Sequence, residues 1–111
     1  MNSQEHTNFS KYGKSFQEGL AALILQDRAF SDQIQEVLET DYFELKYLQV
    51  FVGKIFDYKK EYSVHPTAKI LLTILRTGLE EETDAVKKQT RDYFSRIYNT
   101  DVRDEDFIKN T

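Results

Sequence analysis

Apolar residues that recur at every third or fourth position are the feature that most restricts how this chain of 111 residues can fold. This spacing places side chains on one face of an α-helix, whereas a half-buried β-strand requires strict alternation. Five segments show the helical spacing, and no alternating run outweighs them. Their faces comprise Phe16, Leu20, Leu23 and Ile24; Phe30, Ile34, Val37 and Leu38; Leu48, Phe51, Val52, Ile55, Phe56 and Tyr62; Ile70, Leu71, Ile74 and Leu75; and Val86, Thr90, Tyr93, Phe94, Ile97 and Tyr98. We therefore predict an all-α fold, a small bundle of about five to six helices.

Short polar residues at the edges of these segments indicate where the helices begin. Ser15, which is followed three residues later by a glutamate, fits a capping box at the start of the first helix. Asp27 and Ser31 are alternative caps for the second helix. Pro66 favours an extended backbone at His65, and Thr67 is the predicted N-cap of the fourth helix. The third expected helix, about 44–62, is the longest.

The pattern divides the chain into three parts. Residues 1–14 are polar and aperiodic, and we interpret them as a flexible tail. Residues 15–79 hold the first four helices and form the predicted globular bundle, while residues 80–111 contain the fifth helix and the start of a sixth. Asp104 can cap this sixth helix, and we expect the helix to continue in a longer protein because Thr111 follows after only two turns.

The predicted core draws on the apolar faces of the first four helices. Its expected members are Leu20, Leu23, Ile24, Ile34, Leu38, Leu48, Phe51, Val52, Ile55, Leu71, Ile74 and Leu75. A hydrophobic fraction of 40% is sufficient to build such a core in a chain of this length.

Composition excludes several classes of protein. The chain has no cysteine, which excludes a disulfide scaffold and a thiol nucleophile. Its 15 basic residues face 19 acidic ones, giving a net charge of −4, so strong binding to nucleic acid is not expected. No apolar run has the length of a membrane span, and the polar stretch 1–15 lacks a signal-peptide core, so we expect no membrane association and a cytoplasmic location.

No motif for catalysis or cofactor binding stands out. The four glycines are too scattered for a phosphate loop, which disfavours ATP hydrolysis by this chain. His6 and His65 lack the Glu-x-x-His partners of a di-metal bundle, and we interpret His65 as a surface turn residue. The acidic run Glu80–Glu82, followed by Asp84, is typical of a helix N-terminus. We therefore expect no catalytic, cofactor or metal site.

The fifth helix carries the candidate functional surface. The chain is rich in aromatic residues, at 14%, and most of these lie on predicted helix faces. The candidate interface residues are Val86, Tyr93, Phe94, Ile97 and Tyr98. Two arrangements are open: the face folds back onto the third and fourth helices, or it is exposed and covered by another copy or a partner. We expect the exposed arrangement.

The order of these signals is similar to that of the N-terminal domain of DnaB-like replicative DNA helicases, with phage and phage-like members closest in character. The resemblance runs from about Phe16 to Ile108 and depends on hydrophobic and turn positions. Its segments are Phe16-Gln17-Glu18, Leu20 through Leu25 with Asp27, Phe30, Asp41-Tyr42-Phe43, Tyr62-Ser63-Val64-His65-Pro66-Thr67, Ile97 through Val102, Asp104 and Asp106-Phe107-Ile108-Lys109.

The resemblance implies that the full protein is a ring-shaped hexameric helicase with a C-terminal ATPase. Its N-terminal domain would be a helical bundle followed by a hairpin that pairs between subunits in a collar, which binds primase in bacterial relatives. Residues 80–111 would then form the first arm of the hairpin and the start of the second. ATP and magnesium belong to the ATPase domain, and this chain carries none of that domain's motifs, so it would not itself be an enzyme.

Two other interpretations remain open. The chain could be a stand-alone small helical adaptor or inhibitor encoded by a phage. It could also be a small enzyme with an unfamiliar site, which would require titratable groups that converge in a pocket.

Overall fold

A computed structural model describes residues 9–98, and this part of the chain is all-helical, as predicted. The five helices are α1 (Gly13–Gln26), α2 (Arg28–Ile34), α3 (Lys46–Tyr62), α4 (Ala68–Thr77) and α5 (Asp84–Tyr98). Two 3₁₀ turns, Ser10–Tyr12 and Thr40–Tyr42, precede α1 and α3. The predicted sixth helix and its cap Asp104 lie outside the described residues.

Local side-chain chemistry explains several helix ends. Asp27, one of the two predicted caps, accepts a hydrogen bond from the Phe30 amide at the start of α2 (3.0 Å). Thr67 caps α4 as predicted, through the Ile70 amide (3.1 Å). The capping box at Ser15 is wrong, because α1 already begins at Gly13.

Helix α3 is the centre of the bundle, since α1, α4 and α5 all pack against it. Its length of 17 residues and its wide apolar face allow it to contact three neighbours at once. The buried apolar residues are Ala21, Ile24, Leu25, Leu38, Phe43, Tyr47, Leu48, Val50, Phe51, Val52, Ile55, Phe56, Leu71, Leu72, Leu75, Leu79, Tyr93 and Phe94. The core therefore includes residues of α5 as well as of α1, α3 and α4, whereas α2 packs against it through the partly buried Phe30 and Ile34.

Most of the predicted core is confirmed, with one clear error. Leu20, Ile34 and Ile74 are partly buried against the core, and Leu23 is 40% exposed. The predicted residues that are buried are Ile24, Leu38, Leu48, Phe51, Val52, Ile55, Leu71 and Leu75. Leu23 is exposed and not buried as predicted, because α1 is apolar around much of its circumference and a different part of it, which includes the smaller Ala21, faces the core.

The segment before α1 belongs to the fold, so the predicted tail is wrong for residues 9–14. The Phe9 amide donates to the Tyr42 carbonyl (2.8 Å), and the Phe9 ring packs edge-on against Phe43, with ring centres 5.3 Å apart. The buried Gln17 side chain donates to the Phe9 carbonyl (3.3 Å) and accepts from the Glu44 amide (2.9 Å). Gln17 thereby joins the N-terminal segment to the start of α3.

Helix α5 packs on α3 and α4 and is part of the bundle. The predicted division into a bundle of 15–79 and a separate arm from residue 80 is therefore wrong for residues 80–98. Amphipathic periodicity defined the face of α5 correctly, but it could not say which helices that face would meet.

Candidate protein-interaction surface

The predicted interface on α5 faces the interior. Tyr93 is 2% exposed and Phe94 is fully buried, while Val86, Ile97 and Tyr98 are partly buried against the core. The expected exposed arrangement is therefore wrong. The alternative arrangement, in which this face folds back onto the third and fourth helices, is the one observed, because the α3 surface offers aromatic rings that complement it.

Aromatic and polar contacts together hold α5 in place. The Tyr93 ring packs edge-on against Phe51 (4.9 Å between centres) and near Tyr47 (5.9 Å), and its hydroxyl donates to the Glu18 main-chain carbonyl. The Arg96 guanidinium donates two parallel hydrogen bonds of 2.9 Å to the Glu18 carboxylate. The Tyr47 hydroxyl donates to the same carboxylate. We call Glu18, Tyr47, Tyr93 and Arg96 the α1–α5 clamp.

Electrostatics in the clamp follow from these bonds. The Arg96 guanidinium and the Tyr47 hydroxyl hold the pKa of Glu18 below its ordinary value, against the opposing effect of burial. Burial, with the nearby Glu18 carboxylate, raises the pKa of Tyr47 to about 12. The pKa of Tyr93 is raised for the same reasons. The clamp therefore holds one carboxylate, one guanidinium and two neutral phenols near neutral pH, which suits a structural link between α1 and α5.

Within residues 9–98, three of the six large apolar side chains that remain exposed lie along α1 and its N-cap, on the side that faces away from the core, while Val37, Tyr62 and Val64 lie elsewhere. Tyr12 is 53% exposed, Phe16 is 43% exposed and Leu23 is 40% exposed, while Leu20 between them is partly buried. Their spacing, four and three residues apart, places these side chains on one side of the helix. We call Tyr12, Phe16, Leu20 and Leu23 the α1 outer face.

Aromatic stacking holds the N-terminal half of this face in a fixed shape. The rings of Tyr12 and Phe16 lie 5.0 Å apart, and Phe9 packs edge-on against Phe16 at 5.6 Å. The Lys11 ammonium lies over the Tyr12 ring, 5.3 Å from its centre. Large exposed side chains in a fixed arrangement are typical anchors of protein interfaces.

Sequence reasoning missed this surface because it assigned Leu20 and Leu23 to the core and placed Phe16 on the same apolar face. A signal was nevertheless present, since apolar residues cover more of the α1 circumference than a helix needs to face one core.

His65 lies in a polar network and not at an exposed turn. Its Nε2 atom donates to the Leu25 carbonyl (2.7 Å), so its Nδ1 atom accepts from the Lys59 ammonium (3.1 Å). Lys59 is buried and also donates to the Asp32 carboxylate, whose pKa is lowered by that hydrogen bond. Both ring nitrogens of His65 are therefore engaged. This network joins α1, α2 and α3 to the turn before α4 and supplies no free base for catalysis.

A groove of about 460 Å³ lies beside this network. Its walls include Arg28, Val64, Pro66, Thr67 and Tyr98. The hydroxyl of Thr67 caps α4, and the His65 ring bonds to the Leu25 carbonyl and to Lys59, so these two polar groups beside the groove are engaged in contacts within the fold.

The acidic run Glu80–Glu82 lies in the turn before α5, and the helix itself begins at Asp84. Within residues 9–98, no group of three or more histidine, aspartate or glutamate side chains converges in a way that could hold a metal ion. Over the same stretch, none of the helices combines the length and the apolar character that crossing a bilayer requires.

No protein-family model, curated protein or solved structure matches this chain.

Proposed function

We propose that this chain is a protein-interaction module, the N-terminal assembly domain of a DnaB-like replicative helicase that contributes to subunit association and binds primase in DNA replication. The observation that carries the proposal is the α1 outer face, where Tyr12, Phe16 and Leu23 stay exposed on a helix that the rest of the bundle holds firmly. Exposed aromatic and aliphatic side chains in one contiguous strip are typical of surfaces that a partner protein covers.

The positions that carry the resemblance support this assignment, since they define the turns of the bundle. Asp41-Tyr42-Phe43 forms the connection into α3, and Tyr62 through Thr67 forms the connection between α3 and α4. Within the second segment, Ser63 adopts a left-handed backbone conformation and Thr67 caps α4. In this proposal ATP and magnesium act in the ATPase domain of the helicase, and the module works in the cytoplasm of a bacterium or of a phage-infected cell.

A second candidate, a stand-alone phage adaptor or inhibitor, is favoured by one observation. In the family, subunits pair through the hairpin, yet the α5 face that would belong to this hairpin is buried within the chain at Tyr93 and Phe94. A module whose free surface lies on α1 could instead bind a complete helicase as a separate protein.

The test is direct binding of this chain to purified bacterial primase and, separately, to a purified DnaB-type helicase, measured by isothermal titration calorimetry. We expect binding to primase that Phe16→Ser weakens about ten-fold or more. The matched control is Tyr62→Ser, because Tyr62 is also an exposed aromatic residue (58%) but lies at the end of α3. Binding to the helicase and not to primase would support the adaptor, and binding to neither would refute both.

A further inference from the structure

The connection between α3 and α4 is joined to the bundle through the ring of His65. The Nε2 atom of this ring lies 2.7 Å from the Leu25 carbonyl on α1, and its Nδ1 atom lies 3.1 Å from the Lys59 ammonium on α3. The same ammonium donates to the Asp32 carboxylate on α2. One imidazole therefore links this connection directly to α1 and α3, and through Lys59 to α2.

These contacts fix the protonation state of the ring. A carbonyl oxygen only accepts hydrogen bonds, so Nε2 carries the ring proton in its bond to Leu25. An ammonium group only donates, so Nδ1 is unprotonated and accepts from Lys59. The arrangement in the structure therefore requires a neutral imidazole in its Nε2–H form.

A second proton on the ring has no place in this arrangement. It would turn Nδ1 into a donor that faces another donor across 3.1 Å, and it would set an imidazolium against an ammonium. The Lys59 side chain is only 5% exposed, so water screens this repulsion poorly. Protonation of His65 thus removes one hydrogen bond and adds like-charge repulsion at the same point.

The other charged groups around the ring compensate this repulsion only in part. On α2, the Asp32 carboxylate is already bonded to Lys59, lies 3.7 Å from Arg28 and is 52% exposed, so much of its charge is balanced or screened. Arg28 lines the same groove as His65 and adds a positive charge, as does the N-terminus of α4 through its dipole. From α5 the groove receives the phenol of Tyr98, whose pKa is raised by burial, so that it stays neutral. From α1 the ring meets a main-chain carbonyl.

We propose that the Lys59–His65 pair is a proton-controlled latch, in which protonation of His65 releases the connection between α3 and α4 from α1. Histidine is the side chain that ordinarily changes charge between about pH 5 and 8, so the latch is closed at neutral pH and opens in mild acid. The stability that it contributes is present at neutral pH and is lost as the pH falls. Because Val64, Pro66 and Thr67 of this connection line the groove of about 460 Å³, its release reshapes that groove. The latch is a property of the chain itself and does not depend on the partner proposed above.

The first test is a double-mutant cycle of Lys59→Gln and His65→Gln, measured by urea unfolding at about pH 8 and about pH 5.5. Each glutamine keeps a hydrogen-bonding amide, and neither changes charge with pH. Near pH 8 the cycle gives a favourable coupling of about ten-fold in the unfolding equilibrium constant, and near pH 5.5 this coupling is lost or becomes unfavourable. A contact that only fills space would give the same coupling at both pH values.

The second test uses the unaltered chain, so it holds even if a glutamine destabilises the bundle. Nuclear magnetic resonance of the isotope-labelled protein reports which ring nitrogen carries the proton, and we expect the Nε2–H form near pH 8. On acidification, the His65 ring becomes protonated and the amide signals of Leu25 and Lys59 shift with it, while the Thr90 amide in the middle of α5 does not. The matched control is His6→Gln, which replaces the other histidine of the chain and leaves this transition unchanged.

Three results would overturn the proposal. The first is a coupling between Lys59 and His65 that is equally strong at both pH values. The second is an Nδ1–H tautomer of His65 in the folded protein near pH 8. The third is protonation of His65 that leaves the amide signals of Leu25 and Lys59 in place.

Discussion

Replacing Tyr93 by alanine tests whether α5 is a structural part of the bundle. The side chain is 2% exposed, packs edge-on against Phe51 and donates a hydrogen bond to the Glu18 carbonyl. Removal of a buried aromatic side chain costs about 3–5 kcal/mol of the free energy of unfolding. Because small domains have only about 5–15 kcal/mol in total, Tyr93→Ala should bring the protein close to unfolding at room temperature.

Two further variants divide this cost into its parts. Tyr93→Phe keeps the ring and removes the hydroxyl, so it should cost about 1 kcal/mol, the typical net value of one hydrogen bond. Tyr98→Ala is the matched control on the same helix, because Tyr98 is only partly buried and its loss should cost about half as much as that of Tyr93 or less.

The measurement is urea unfolding followed by far-UV circular dichroism, with the free energy taken from the linear extrapolation and the slope compared between variants. If Tyr93→Ala costs less than about 1 kcal/mol, or no more than Tyr98→Ala, then α5 does not pack on α3 as described. In that case the α1–α5 clamp would not exist in solution, and the prediction of a separate arm from residue 80 would be correct.

Three other predictions concern stability. Ser63 ends α3 with a φ angle of +60°, a backbone conformation that costs free energy for residues other than glycine. Ser63→Gly should therefore raise the free energy of unfolding, measured by urea titration, by up to about 1 kcal/mol. A lower free energy of unfolding would contradict this. The Ser31 hydroxyl is fully buried and has no hydrogen-bond partner. Because an unpaired buried hydroxyl destabilises the folded state, Ser31→Ala should raise the melting temperature. A lower melting temperature would show that the hydroxyl is hydrogen-bonded. Because the pKa of Glu18 is lowered in the folded state, its carboxylate stabilises the protein above its unfolded pKa of about 4.5, and this contribution is lost as the pH falls through the folded pKa. Glu18→Gln should therefore flatten the fall in melting temperature below that pH, and an unchanged pH profile would exclude the Arg96–Glu18 pair.

Features governed by near neighbours in the chain could be predicted from sequence. The Asp27 and Thr67 caps each depend on a side chain and an amide three residues away, so a local motif contains all the information. The helical type of each segment follows in the same way from the spacing of its apolar residues.

Features that depend on distant partners could not be predicted. The hydroxyl of Tyr93 bonds to the carbonyl of Glu18, 75 positions earlier, and no property of α5 alone distinguishes this inward arrangement from an exposed one. The burial of Gln17 has the same origin, because its amide group is satisfied by main-chain atoms of Phe9 and Glu44. Leu23 was misplaced since periodicity shows that α1 has an apolar side but not which part of it meets α3.

The α1–α5 clamp also sets an order of events during synthesis on the ribosome. Helices α1 to α4 leave the exit tunnel before α5, so for a time the rings of Tyr47 and Phe51 have no Tyr93 to cover them. At a translation rate of about 5–20 residues per second this interval lasts on the order of seconds, during which an aromatic surface is open to chaperones or to neighbouring nascent chains. Codons that slow the ribosome between α4 and α5 would lengthen this exposure and favour aggregation.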